Sequence, residues 1–139
     1  MSRSMLLALA LVSLAAACSN SAATPSPSAT GPTSELFSGS LSVQGSAFYS
    51  FNPTQAGEVT LMLASVTSPD GHSTYPVILG LAFGIPMGTG CTHDQSLETP
   101  AALIPQISIG TTSGVHCVDV YDVGNLANPV SFTVRIVHP

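Results

Sequence analysis

The chain has 139 residues, room for one domain. Charged residues make up 6%, against roughly 25% in an ordinary soluble domain, and the low charge points to a membrane protein or a β-rich exported one. With no lysine, two arginines and a formal net charge of −5, the chain lacks the basic footprint of a nucleic-acid binder; with a continuous apolar run only at its N-terminus, it is not a polytopic membrane protein.

Taken from the start, Arg3 gives a weakly positive opening, Met5 to Leu14 is apolar, and Ala15, Ala16 and Ala17 are small. This layout predicts a secretory signal over residues 1–17. It is too short for the roughly 20 apolar residues of a membrane-spanning helix. One reading is an ordinary signal peptide cut after Ala17, with Cys18 incidental. The other starts from "LAAAC" (residues 14–18), which resembles the bacterial lipobox, with Ala15 where that pattern favours leucine. The resemblance implies that Cys18 becomes the new N-terminus and carries a thioether-linked diacylglycerol and a further acyl chain. One acyl chain holds a protein to a membrane only marginally, whereas two or three hold it effectively permanently. The next residues, "SNSAATPSPSATGPTS" (19–34), carry no charge and cannot bury a core. Residues 18–34 therefore read as the tether of an anchored domain. Ser19, in place of an acidic residue, resembles the outer-membrane sorting choice of Gram-negative bacteria.

The folded body is expected over residues 35–139. No amphipathic helix is visible. Apolar residues alternate, and Gly, Pro, Asn and Asp punctuate at short intervals, which is the all-β pattern. Strands are predicted over 36–43, 46–52, 58–67, 76–85, 103–109, 114–122 and 130–138. In 58–67, Val59, Leu61 and Leu63 share one face, and Met62, Ala64 and Val66 the other. That predicts a central strand buried on both sides for part of its length. In 76–85, Val77, Leu79, Leu81, Phe83 and Ile85 line one side; Gly80 and Gly84 lie on the other, where something can approach closely. Pro105 marks 103–109 as an edge strand. Residues 86–100 read as a long connection, and 68–73, "SPDGHS", as a turn. About seven short strands predict a single small antiparallel β-sandwich.

The run "FSGSLSVQGSAFYSF…GEVTLMLAS…ILGLAFG…GVHCVDVYDVGNL…VSFTVRIVHP" resembles the bacterial pre-peptidase C-terminal (PPC-like) β-sandwich. The shared pattern is a short G-x-L strand, an aromatic Y-x-F strand, a G-x-V-T-L strand and a late strand before the last. His116 stands where that family has tyrosine. The resemblance implies an accessory, non-catalytic module.

With Cys18 assigned to the anchor, Cys91 and Cys117 are left as a pair. In an exported protein such a pair is expected to be bridged. The competing readings are two buried free thiols, or a zinc site of Cys91, His93, His116 and Cys117. Strand geometry opposes the zinc site, because the adjacent residues His116 and Cys117 face opposite sides of a sheet. His116 shares its face with Val118 and Val120 and is expected to be a buried, hydrogen-bonded core histidine. Asp119, Asp122 and Asn125 form an oxygen-rich group; its two readings are a calcium site and a turn shaped by side-chain to backbone bonds, the turn being favoured. Asp70 and Asp94 read as solvated turn residues. No G-x-S-x-G or H-E-x-x-H motif is present. His93 and Asp94 are an acid–base pair on paper only, and Glu35, Glu58 and Glu98 are scattered.

These readings predict a lipid-anchored, non-catalytic module of the bacterial cell envelope, needing no cofactor. Its expected partners are membrane lipid through Cys18 and an envelope protein or glycan, with Tyr75 and Tyr121 as candidate glycan platforms. The alternative is a small secreted metal-dependent protein or hydrolase using His93, Asp94, Asp119 and Asp122.

Overall fold

The computed structural model describes residues 31–139. The signal over 1–17, the lipidation at Cys18 and most of the tether over 18–34 lie outside the described residues. Within them the chain forms β1 (Thr33–Leu41), β2 (Ser46–Phe51), β3 (Gly57–Thr67), β4 (Leu79–Gly84), β5 (Pro86–Met87), β6 (Gly90–Cys91), β7 (Gln95–Thr99), β8 (Ile107–Thr111), β9 (His116–Tyr121) and β10 (Val130–His138). Two four-stranded antiparallel sheets result, ordered β1-β10-β3-β8 and β2-β9-β4-β7, with β5 and β6 as a separate small hairpin. The sheets pack face to face as a small all-β sandwich.

The sandwich follows from alternation. In the first sheet Leu41, Val59, Leu61, Leu63, Ile107, Val130, Phe132, Val134 and Ile136 point inward and are fully or almost fully buried. Phe51, Leu79, Leu81, Phe83, Val118 and Val120 answer them from the second sheet. The edge assignment drawn from Pro105 holds: β8 begins two residues after it and borders the first sheet.

Three expectations change. The strands exceed seven because residues 86–100 are not a plain connection. They hold the β5–β6 hairpin and β7, which pairs with β4 from Leu79↔Thr99 to Phe83↔Gln95. With Leu97 its only apolar residue, β7 leaves almost no period-two signal. The strand at 76–85 is shorter than predicted, and Ile85 turns outward to 52% exposure. Thirdly, β3 is central but is not a strand with two apolar faces. Its register against β10 slips between Thr133 and Val134, so that Ser65 faces Thr133 and Leu63 faces Val134. Ala64 is the extra residue of a β-bulge. The bulge reverses the alternation and turns Val66 into the same core as Leu63. On the opposite edge of β3, beyond the end of its pairing with β8, Gln106 Oε1 accepts the Leu63 amide at 2.8 Å.

The close approach predicted at Gly80 and Gly84 is real. A Cβ on Gly80 would stand 2.2 Å from the Tyr121 ring, and one on Gly84 would stand 1.9 Å from the Thr92 carbonyl oxygen. Between them lies buried Ala82, so the outer surface of β4 is nearly bare backbone. The segment 85–94, with its hairpin, folds down onto it. Thr92 donates its amide to the Ile85 carbonyl and Asp94 donates its amide to the Phe83 carbonyl, both at 2.9 Å.

Adding one methyl group here tests this packing. Gly80→Ala is expected to cost about 1–3 kcal/mol in urea unfolding, as overpacking does. In a Tyr121→Ala background the cost should largely vanish. Simple addition of the two losses would mean that the ring is not what fills the space.

Candidate functional site

Alternation on β9 sorts its residues between two environments. His116, Val118 and Val120 face the core; Cys117, Asp119 and Tyr121 face outward, beneath segment 85–94. Each of these three outward side chains meets that segment or β4. Cys117 is bonded to Cys91, with S–S 2.02 Å and Cα atoms 5.9 Å apart. Asp119 Oδ2 accepts a hydrogen bond from His93 Nε2 at 2.8 Å. The Tyr121 ring lies over Gly80, and its other face stacks on His93, centroids 5.0 Å apart and planes 20° from parallel. The result is a strap held across the sheet by one covalent bond, one hydrogen bond and one ring stack.

This arrangement settles the competing readings of the cysteines. Both sulfurs are spent in the disulfide, so the free-thiol and zinc readings of Cys91, His93, His116 and Cys117 both fall. His116 lies on the other side of the sheet, as its strand parity required. It is buried, its Nε2 lies 2.8 Å from Thr111 Oγ1 and 3.0 Å from the Thr112 carbonyl oxygen, and its ring stacks on Phe83.

Nor does His93 pair with Asp94. Asp94 turns to Thr92, accepting its hydroxyl at 3.3 Å, while His93 reaches across to Asp119, 26 positions later in sequence. Asp119 is the more unusual partner. Its side chain is 9% exposed, and Oδ1 is buried with no hydrogen-bond partner. Burial pushes its carboxyl above the usual aspartate range, against the opposing pull of His93.

Asp122 serves the chain reversal at the end of β9. Oδ2 accepts the amide of Gln44 at 2.8 Å; Oδ1 accepts those of Gly124, Asn125 and Leu126 at 2.8, 3.1 and 3.2 Å. These amides, Gln44 first, hold its carboxyl below the usual range. Gln44 sits at φ 58° and Gly124 at φ 93°, conformations that need such a local anchor. Asn125 therefore contributes an amide to Asp122, and the turn reading describes this end of the sandwich. Among the described residues no three His, Cys, Asp or Glu side chains are grouped to hold a metal ion. Tyr75 and Tyr121 are both half-buried packing residues, Tyr75 against the core and Tyr121 under His93.

A second network was not foreseen. Tyr49 donates its hydroxyl to Glu35 Oε2 at 2.6 Å, and His138 Nε2 donates to Glu35 Oε1 at 2.8 Å. The Tyr49 bond first, and then His138, lower the Glu35 carboxyl; the same bond raises the Tyr49 phenol. The clue lay in parity. Glu35 shares the inward positions of Phe37 and Leu41, and His138 those of Val134 and Ile136. A concavity of about 620 Å³ opens between β8 and the end of β4. Phe83, Ile109, Thr111 and His116 wall it, with Ile85 and Asp94 at the strap. Its walls are chiefly apolar, and His116 is already engaged.

The fold class is thus a disulfide-strapped, all-β sandwich. No known family matches the chain, and no curated protein matches it in sequence.

Two outcomes check the strap. Reduction of Cys91–Cys117, which are separated by 26 positions, should cost about 3.5 kcal/mol by the loop-entropy relation, read as a lower urea midpoint with dithiothreitol. Asp119→Asn should be at least as stable as the parent at neutral pH. Because the folded carboxyl titrates above its unfolded value, the parent gains stability as pH falls through the folded pKa. The variant should lack that gain in melts taken from neutral to acid pH.

Proposed function

We propose that the chain is a lipid-anchored, non-catalytic module of the bacterial cell envelope, of the PPC-like kind. It is held by acyl chains on Cys18 and presents its sandwich to an envelope protein or glycan. The observation that carries this reading is the disulfide. It takes two of the three cysteines and leaves Cys18 for the anchor, and such bonds belong to exported compartments. The sandwich architecture agrees with an accessory module. On the hydrolase alternative, the geometry joins only two of the four residues, His93 and Asp119; Asp94 and Asp122 are engaged elsewhere.

The test is intact mass and fractionation in a bacterial host. The parent should be recovered from membranes as residues 18–139 plus two or three acyl chains. Cys18→Ala should lose the acyl mass and leave the membrane. An unmodified, soluble parent would overturn the anchor.

A further inference from the structure

The outer face of the first sheet carries apolar side chains beside an arginine that no other described residue is seen to cover. Leu36 on β1, Arg135 on β10 and Met62 on β3 stand side by side in register. Leu36 is 68% exposed. Beyond Met62 the row continues into the loop before β8. Ala102 donates its amide to the Leu63 carbonyl and Gln106 donates its amide to the Leu61 carbonyl, both at 2.9 Å. Pinned at these two points, the loop holds Leu103 and Ile104 out at 84% and 70% exposure. Leu103, Pro105, Met62, Thr60 and Val137 surround a hollow of about 200 Å³ with Arg135 in its wall. Arg135 is the body's single Lys or Arg, in a chain that has no lysine. Its Nε donates to Ser34 at 3.0 Å, which orients the exposed guanidinium beside the hollow.

From this we propose that this face rests on the anionic phospholipid surface of the membrane that holds Cys18. Arg135 meets a headgroup phosphate, and Leu36, Leu103 and Ile104 enter the interface. The proposal rests on the anchor reading. A guanidinium flanked by apolar side chains is what a headgroup above acyl chains accommodates. Charge also selects the face. Glu98, Asp119 and the strap's Asp94 belong to the opposite side; on this side Glu58 stands near one end of β3, and Asp70 in the loop beyond its other end. Arg135 is thus the one arginine an anionic headgroup could meet on the folded body, and it lies on this face and not on the strapped one. The tether makes a weak contact sufficient. From Cys18 to Thr33 is 15 residues of chain, at most about 50 Å when fully extended. Confinement at that range gives an effective concentration of order millimolar.

Hydroxyl-radical footprinting of the full acylated chain, in phosphatidylethanolamine vesicles with and without phosphatidylglycerol and in detergent, reads both faces at once. Expected is loss of labelling at Leu36, Leu103 and Ile104 in phosphatidylglycerol vesicles, with Ile85 and Met87 on the strap unchanged. Arg135→Gln should lower the protected fraction about fivefold at limiting lipid, the worth of one basic residue at an anionic surface. Equal labelling of the two faces, or protection of Met87 instead, overturns the proposal. So does protection that grows with protein concentration in detergent, which would mean that a second copy covers the face. Intact mass of the same sample reports the anchor separately. If the chain is unacylated, the anchor reading fails, and the footprint with added vesicles still decides the face: protection supports it and none overturns it.

Discussion

The outer surface of β4 carries no side chain larger than a methyl group, and much of the second sheet depends on that. Gly80 and Gly84 let a ring and a peptide carbonyl approach to distances that any Cβ would forbid. Segment 85–94 can therefore lie flat on the sheet. Only in that position do Cys91 and His93 come over Cys117 and Asp119. The disulfide is thus a consequence of two glycines before it is a source of stability. It joins a segment already drawn close by bare backbone, and the His93–Tyr121 stack fills the remaining space.

Much of this was written in period-two patterns. Alternation set the inward faces of β2, β3, β4, β9 and β10, and parity alone separated His116 from Cys117, which disposed of a zinc site. Gly80 and Gly84 announced a close approach without saying what approached. What escaped did so for physical reasons. β7 has one apolar residue and pairs on one side only, so no periodicity betrays it. The bulge at Ala64 changes the phase of a strand partway along, and fixed alternation then places Val66 on the wrong side. The His93–Asp119 bond joins residues 26 apart in sequence through a folded strap, and no local signal encodes it. Glu35 looked like a scattered surface acid because its partners lie on β2 and at the end of β10.

The two outer faces differ in character. One is closed by a strap, carries carboxylates and buries an aspartate against its preference. The other offers aliphatic side chains around the folded body's single arginine, with Glu58 and Asp70 toward its ends. If the arginine face rests on lipid as proposed, the strapped side is the one left to face away from the membrane. Orientation of that kind gives a small domain a defined outward surface without a specific docking partner beneath it.

The Glu35 clasp has a mechanical meaning. β1 is an edge strand, joined to β10 with Thr33 opposite His138. Tension applied through the chain preceding Thr33 would not shear this ladder along its length. It would open it from that end, one pair of bonds at a time, the geometry in which a β ladder resists least. Glu35 sits two residues into the tear and is gripped by β10 through His138 and by the second sheet through Tyr49. The fold thus places a polar junction at the point where peeling would begin, and a pull must break a link between both sheets before it can unzip the strand.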